Sequence, residues 1–348
     1  MSNLELYDSN FAANPYPSLP KLVFRDCRET PFSLHGLLCP SEERPYFHRL
    51  PLNVAKAASD AVVYLSSHTA GGRVRFRTDS PYIAIRALLH NIEKANHFSI
   101  TGSAGFDLYR DSIFLDSYRP SPAIADQYDG VLMTDGKMHD YMIHFPLYSG
   151  CKALLIGLDE AAALEAPTPY AIEKPVLYYG SSITQGGCAS RAGMAYQNII
   201  SRRLDCDQIN LGFSGCAKAE MAVADYIKEQ NISVFVYDYD HNAPNPDYLE
   251  QTHESFYLRI REACPTLPVL MVTRPDHIGT EDTLRRRDII KSTYEKALSR
   301  GEPVYFLDSS EFTAEFGGDH TVDTTHPTDL GFWVMANAIG AELAKILK

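Results

Sequence analysis

The fold class of this chain is decided by residues 176–187, which read VLYYGSSITQGG. Valine and tyrosine favour a strand, and Gly180 with the small polar residues after it ends that strand in a tight turn. Helical spacing of apolar residues begins near Arg191. Ligands bind at the carboxyl ends of strands in open α/β sheets, so the Ser182 hydroxyl is expected to face a crevice, with backbone N–H groups nearby to face an anion. Taken alone, the turn fits a Ser/Gly-rich connection without chemistry equally well.

The same strand–helix pattern repeats to the end of the chain. Strands are expected at 176–180, 207–211, 233–239, 268–273 and 303–308, and helices at about 191–204, 217–230, 247–263, 282–299 and 328–347. Five such units predict a mostly parallel sheet with helices on both faces.

In the first half of the chain, apolar residues recur with a different spacing, at every second position. Short alternating segments run from about residue 46 to 158, for example 73–77, 83–86 and 141–145, with turn clusters between them. This pattern predicts a β-sandwich of the jelly-roll kind. Residues 1 to about 30, with Pro15, Pro17 and Pro20, are expected to form an extended arm on the body.

A proline-rich break at 165–175 marks the predicted domain boundary. We therefore expect an N-terminal arm and β-sandwich domain at 1–170 and an α/β domain at 171–348. A chain of 348 residues with 45% hydrophobic content is long enough to bury the cores of both.

Charge and cysteine usage narrow the function classes. The net charge of −12 argues against a nucleic-acid partner, which normally selects a basic surface. Seven scattered cysteines without a CxxC pair predict free thiols in a reducing compartment, and hence a cytoplasmic protein. The N-terminus lacks the pattern of a signal peptide, and no apolar run is long enough to cross a bilayer, so no membrane partner is expected.

Polar residues recur where the predicted strands end or the last helix begins. They are Ser182, the 210–215 stretch NLGFSG, Asp240-His241-Asn242 and the 323–327 stretch DTTHP. Parallel strands bring these ends to one rim. A serine needs a base to become a nucleophile, and the DxxH spacing lets Asp323 orient His326. The N–H groups of Ser182 and Gly215 and the Asn242 side-chain amide could then hold an oxyanion.

These four blocks resemble the SGNH (GDSL-type) hydrolase superfamily over residues 175–348. The resemblance implies a flavodoxin-like three-layer α/β/α domain with Ser182 as nucleophile, His326 as general base, Asp323 as its orienting group, and Ser182, Gly215 and Asn242 as the oxyanion hole. Residues 105–109, GFDLY, are similar to the GxDLY pattern of a β-sandwich domain that precedes some of these hydrolases, although the spacing alone favours a strand edge followed by a turn.

Two positions depart from the family pattern. Ser181 stands in place of the usual aspartate before the nucleophile, and Asp240 in place of a glycine two residues before Asn242. A carboxylate facing the oxyanion would oppose catalysis, so Asp240 is expected to turn away or to contact substrate hydroxyls. Arg274 is a further candidate substrate contact, with an ion pair to Asp276 as the favoured alternative.

The resemblance implies a serine esterase that removes short acyl groups, foremost acetyl, from a small-molecule or oligosaccharide ester. An acyltransferase with the same triad is the first alternative. A metallohydrolase using the carboxylates and imidazoles of 319–326, and a non-catalytic carbohydrate-binding protein, are two more. We expect no cofactor and no metal, treat Cys188 and Cys216 as packing residues, and keep a homo-oligomer as an open expectation.

Overall fold

The computed structural model describes residues 19, 21–275 and 279–348. The prolines on which the predicted N-terminal arm depended, Pro15, Pro17 and Pro20, lie outside the described residues. From Leu22 onward the predicted arm is instead a paired strand, since Leu22–Asp26 runs antiparallel to residues 155–159.

The first half of the chain consists mainly of antiparallel strands. Their bounds are β1 (Leu22–Asp26), β2 (Ser33–His35), β3 (Arg73–Thr78), β4 (Tyr82–His90), β5 (Phe106–Arg110), β6 (Ile113–Tyr118), β7 (Gln127–Met133), β8 (His139–His144), β9 (Gly150–Asp159) and β10 (Leu164–Glu165). Within the described residues, one sheet has the order β1-β9-β4-β7 and the other β10-β3-β8-β5-β6, with β2 paired to β3. The predicted antiparallel domain is confirmed, whereas its jelly-roll connectivity stays a prediction.

Three short helices interrupt the region where only strands were expected. They are α1 (Leu52–Ala58), α2 (Asp60–Ser66) and α3 (Ile100–Ala104). Alanine-rich sequence after Pro51 favours α1, and the Ser59 hydroxyl caps α2 by accepting from the Val62 N–H at 3.2 Å. Helix α3 ends at its C-cap, Gly105, immediately before β5.

The second half forms a parallel sheet. Its strands are β11 (Ile172–Gly180), β12 (Cys206–Gly212), β13 (Val234–Asp238), β14 (Val269–Val272) and β15 (Val304–Leu307). Its helices are α4 (Ser182–Gln185), α5 (Tyr196–Leu204), α6 (Met221–Ile227), α7 (Pro246–Ala263), α8 (Glu281–Ser299), α9 (Ser310–Thr313) and α10 (Asp329–Ile346). The strand order β12-β11-β13-β14-β15 is that of flavodoxin-like sheets. In such sheets the ligand crevice opens at the carboxyl ends of the two strands where the order reverses, here β11 and β13.

Apolar side chains cover both faces of this sheet. Leu177 and Tyr179 of β11 enter the cluster that also contains Phe256 of α7, whereas Val176 and Tyr178 enter the cluster with Phe332 of α10. Alternation along β11 therefore supplies two cores at once. A third core lies in the first half, between its antiparallel sheets.

The first half covers the β12 edge of the parallel sheet. Arg49, almost fully buried, donates to the carbonyls of Asn210 at 3.2 Å and Gly212 at 2.5 Å. Arg73 donates to the Gln208 carbonyl at 3.1 Å and pairs with Asp207. These contacts occupy backbone acceptors along β12 and fix the first half against this edge of the parallel sheet. Among the described helices, none combines the length and apolar character needed to cross a membrane.

Candidate active site

The turn after β11 presents Ser182. A Cβ at Gly180 would lie 2.1 Å from Thr184 Oγ1 and 2.2 Å from the Asp238 carbonyl oxygen, so the turn can close only on a glycine. The Ser181 hydroxyl accepts from the Ile183 N–H at 3.1 Å and caps α4. Ser181, which stands in place of the usual aspartate, therefore stabilises the first turn of α4. Ser182 begins the helix, and its N–H has no intrahelical acceptor.

Ser182, His326 and Asp323 lie in one hydrogen-bonded row. The Ser182 Oγ is 2.8 Å from His326 Nε2, and His326 Nδ1 is 2.7 Å from Asp323 Oδ2. Because a carboxylate faces Nδ1, that nitrogen carries the proton and Nε2 accepts from the serine hydroxyl. The predicted nucleophile, base and orienting carboxylate are thus brought together.

Asp323 is held by the backbone as well as by the imidazole. Its Oδ1 accepts from the N–H groups of His326 at 2.7 Å and Thr325 at 3.1 Å. Partial burial works to raise the pKa of Asp323, but the hydrogen bonds from His326 outweigh it and lower that pKa below its ordinary value. Asp323 is therefore ionised at neutral pH and can favour a positively charged imidazole beside it.

The other predicted oxyanion donors lie on the loop after β12 and beyond β13. Gly215 has φ +68°, and a Cβ there would meet nothing within 4 Å, so the space in front of it is open. Asn242 Nδ2 donates to the Phe213 carbonyl at 2.9 Å, which ties this side chain to the Gly215 turn. Before this loop, Gly212 allows a close contact within the protein, because a Cβ there would lie 2.2 Å from the Gln185 backbone N atom.

Asp240 and Arg274 are neighbours. Asp240 is buried, and its Oδ2 accepts from the Arg274 N–H at 3.2 Å. Both residues line a cavity of about 60 Å³ at the ends of β13 and β14, and Arg274 Nη1 lies 3.9 Å from Asp282. The alternative partner expected for Arg274, Asp276, lies outside the described residues.

The run 285–287, which the basic pattern suggests is a solvated helix face, is only partly exposed. Arg286 is buried and donates to the carbonyls of Asp240 at 2.8 Å and Ala243 at 3.0 Å. Its guanidinium fixes the backbone of the block that carries Asn242. The run of three arginines in the sequence does not indicate that Arg286 binds these backbone carbonyls.

Three aromatic residues of the first half reach the site and were not found from the sequence. The Tyr148 hydroxyl donates to the Ser182 carbonyl at 3.3 Å, and the Tyr148 ring packs 4.5 Å from Phe98. The His97 ring centroid is 5.7 Å from that of His326. These residues belong to none of the motifs, so only the docking of the two halves reveals them.

The GxDLY motif is also part of this docking. Asp107, fully buried, accepts from Arg191 Nη1 at 2.8 Å and from the Gly193 N–H at 2.7 Å, and Tyr109 Oη is 2.6 Å from the same Arg191 nitrogen. The interpretation of this motif as a strand edge and turn misses that function, because Arg191 is distant in sequence. The contacts also explain why the regular helix α5 begins at Tyr196, later than predicted: residues 192–194 form a 3₁₀ turn against the first half.

The run 319–326 does not gather its own carboxylates and imidazoles into one group. His320 is buried, with Nε2 3.3 Å from the Pro275 carbonyl. Among the described residues, the group with ligand spacing is instead His97, Cys188 and His326. Cys188 therefore has two imidazole nitrogens within 4.8 Å of its sulfur, and for both Cys188 and Cys216 the packing role stays a prediction.

Comparison with known proteins agrees with this architecture. Residues 173–344 match the model of the GDSL-like Lipase/Acylhydrolase family, and residues 22–164 match that of the GxDLY N-terminus of SGNH-type esterases. No match is found among the curated proteins.

Solved structures resemble the chain over both halves. A protein from Bacteroides ovatus described as a GDSL-like lipase is 27% identical, with a TM-score of 0.82 over 94% of this chain and 98% of its own. The salicylyl-acyltransferase SsfX3 from a tetracycline biosynthetic pathway is 18% identical, with a TM-score of 0.79 and the same coverage. An acetyl xylan esterase from the rumen bacterium Butyrivibrio proteoclasticus is 11% identical, with a TM-score of 0.60 over 94% and 99%. At those identities the last two establish the fold alone.

The fold is that of the SGNH hydrolases, a class of carboxylic ester hydrolases. The chain belongs to the GDSL-like lipase/acylhydrolase family and carries the GxDLY N-terminal domain of SGNH-type esterases before it.

Proposed function

We propose that the chain is a serine esterase that removes short acyl groups, foremost acetyl, from a carbohydrate-like alcohol. The observation that carries the proposal is the row of hydrogen bonds from Ser182 Oγ to His326 Nε2 at 2.8 Å and from His326 Nδ1 to Asp323 at 2.7 Å. Hydroxyl, imidazole and carboxylate in this order are what acyl transfer through a covalent intermediate requires.

In the first step His326 Nε2 takes the Ser182 proton while Oγ attacks the ester carbonyl. The resulting oxyanion is held by the N–H groups of Ser182 and Gly215 and by the Asn242 amide. The hydrogen bond from Asn242 Nδ2 to the Phe213 carbonyl at 2.9 Å, which brings this amide to the Gly215 turn, supports the assignment. His326 then gives its proton to the departing alcohol, which leaves the acyl group on Ser182.

In the second step water attacks the acyl-enzyme, and His326 takes its proton. As the second oxyanion collapses, the bond between Oγ and the acyl carbon breaks and His326 returns its proton to Oγ, which releases the carboxylic acid and restores the Ser182 hydroxyl. An alcohol in place of this water would make the same site an acyltransferase, because the triad serves both acceptors.

Support for a carbohydrate-like alcohol comes from two polar residues at the ends of β13 and β14 and from related folds. Asp240 and Arg274 line the same cavity, and carboxylate and guanidinium groups are suited to bind sugar hydroxyls. The similar structures include family two carbohydrate esterases, one from Clostridium thermocellum in complex with cellohexaose. Acetyl as the acyl group has its support in the acetyl xylan esterase of the same fold.

The test is acetate release from a panel of acetylated sugars, with p-nitrophenyl acetate as a non-sugar ester. Ser182→Ala is expected to lower kcat by about five to six orders of magnitude, while Ser41→Ala, a surface control, keeps it. Equal rates for Ser182→Ala and the wild type would end the proposal. Adding alcohol acceptors and measuring the ester formed against the acetate released separates the esterase from the acyltransferase.

A further inference from the structure

Three metal-ligand side chains meet at the mouth of the site. His97, Cys188 and His326 each offer one ligand atom, and these atoms all lie within 4.8 Å of one another. Within the described residues this is the only such group of histidine, cysteine or acidic side chains. We propose that it binds a zinc ion, which inhibits the enzyme by occupying the imidazole that would act as its base.

Each histidine of the group has its second ring nitrogen already engaged. Asp323 holds His326 Nδ1 at 2.7 Å, and the Asn96 side-chain oxygen holds His97 Nδ1 at 3.1 Å. Metal-bound histidines typically make this contact, which fixes the tautomer and turns the other nitrogen toward the metal. Nε2 is therefore the nitrogen that both rings offer to the ion.

Cys188 is held in place by the loop that carries it. Its φ is +74°, in the left-handed region that few residues other than glycine adopt. Two residues later, the Ser190 N–H donates to Asp329 at 2.9 Å and so anchors the loop. The side chain is only half-buried, so an ion can reach the thiol from solvent.

Two imidazoles and a thiol suit Zn²⁺, which takes nitrogen and sulfur ligands in tetrahedral sites. Cysteine binds zinc as the thiolate, so the Cys188 proton leaves to solvent when the Zn–S bond forms. A water molecule completes the four ligands. No electron transfer and no other reactant are involved.

Zinc and catalysis compete for one atom. His326 Nε2 lies 2.8 Å from Ser182 Oγ, and an Nε2 lone pair bound to zinc cannot accept the serine proton. Inhibition is therefore reversible. It also depends on the first half of the chain, because His97 comes from the segment between β4 and α3. The proposal goes beyond the esterase activity, and its binding step can be measured without catalysis.

The binding test uses full-length Ser182→Ala, which keeps all three ligands. Calorimetric titration with ZnCl₂ is expected to give one site per chain, and Co²⁺ in its place is expected to give a thiolate charge-transfer absorption. Adding Cys188→Ser should weaken zinc binding by at least about tenfold, because the loss of even a hydrogen-bond partner of a ligand has an effect of this size. The same substitution should abolish the Co²⁺ absorption. Cys264→Ser is the matched control, since Cys264 precedes β14 at the opposite end of the sheet. Equal zinc affinity in the Cys188 and Cys264 variants would overturn the proposal.

The activity test follows hydrolysis of p-nitrophenyl acetate as ZnCl₂ is added and then removed with EDTA. Half-inhibition of His97→Ala and of Cys188→Ser should need at least about tenfold more zinc than half-inhibition of the wild type. Inhibition of all three proteins at the same concentration, or activation by zinc, would contradict the proposal.

Discussion

The carboxylate of Asp107, in the antiparallel half, accepts a hydrogen bond at 2.8 Å from the guanidinium of Arg191, in the segment that follows the Ser182 turn. Asp107 is fully buried and also accepts from the Gly193 N–H at 2.7 Å. The same segment is tied at Ser190 to Asp329, the first residue of α10 and close in sequence to His326. The GxDLY motif thus helps to hold the wall of the site between Ser182 and His326.

Asp107→Ala is expected to lower the free energy of unfolding by about 3 kcal/mol, because it leaves Arg191 without its buried partner. It should also lower kcat by about 10–100-fold with a smaller effect on KM, since a shifted wall misplaces the reacting groups. Urea unfolding and steady-state kinetics measure the two effects. The control is Asp129→Ala, which breaks an exposed pair with Arg86 and should cost less than about 1 kcal/mol. An unchanged kcat in Asp107→Ala would show that Asp107 has a structural role only.

Asp323→Asn is expected to lower kcat by about 10³–10⁴-fold, because an amide no longer favours the imidazolium and can hold the wrong tautomer. The lowered pKa of Asp323 also makes a prediction about stability. An acid whose folded pKa is depressed stabilises the fold above its unfolded pKa of about 3.9, and this stability is lost as pH falls through the folded value. Acid unfolding of wild type and variant should therefore converge at low pH. A kcat within tenfold of the wild type would rule out the orienting role.

Gly180 and Gly215 make a matched pair of alanine substitutions. Gly180→Ala places a methyl group 2.1 Å from Thr184 Oγ1 and should cost about 3 kcal/mol or more. Gly215→Ala meets no atom within 4 Å and should cost only about 1–2 kcal/mol, the strain of its φ of +68°. Thermal unfolding ranks the two. A Gly215→Ala protein as unstable as Gly180→Ala would contradict the open space described for this turn.

Asp238 is a buried carboxyl that accepts from Thr184 Oγ1 at 3.1 Å and Tyr196 Oη at 3.3 Å. Burial, with the nearby Asp240 charge, raises its pKa well above the ordinary value. The folded state then binds more protons than the unfolded state, so Asp238 lowers stability as pH rises above about 3.9. Asp238→Asn removes this dependence, and its free energy of unfolding relative to the wild type should increase between pH 5 and pH 9. Urea unfolding at each pH measures this difference, and a flat difference for Asp238→Asn would contradict the raised pKa.

Local patterns in the sequence located most of the parallel sheet. Period and length placed all five strands and the long helices to within a few residues; α7, for example, was expected at 247–263 and runs Pro246–Ala263. Helix α6 is shorter than expected, Met221–Ile227 against 217–230, because Ala219 at φ +60° breaks the helical path before it. In the first half, the alternating segments led us to expect strands throughout, and α1 and α2 were not predicted.

The residues of the row Ser182–His326–Asp323 could be named in advance because each sits in a short block at a strand or helix end. Arg49, Tyr148 and His97 could not be named in this way. Each acts through contacts between the two halves, and no spacing in the sequence encodes which surfaces meet.

Because Tyr148 donates to the Ser182 carbonyl and Asp107 holds Arg191, the two halves are not interchangeable modules. A chimaera that joined this hydrolase half to the antiparallel domain of a distant relative would keep Ser182, His326 and Asp323 and still lose the supports of the serine turn. An engineer who exchanges the first domain to alter substrate range would therefore have to transfer both residues of each contact.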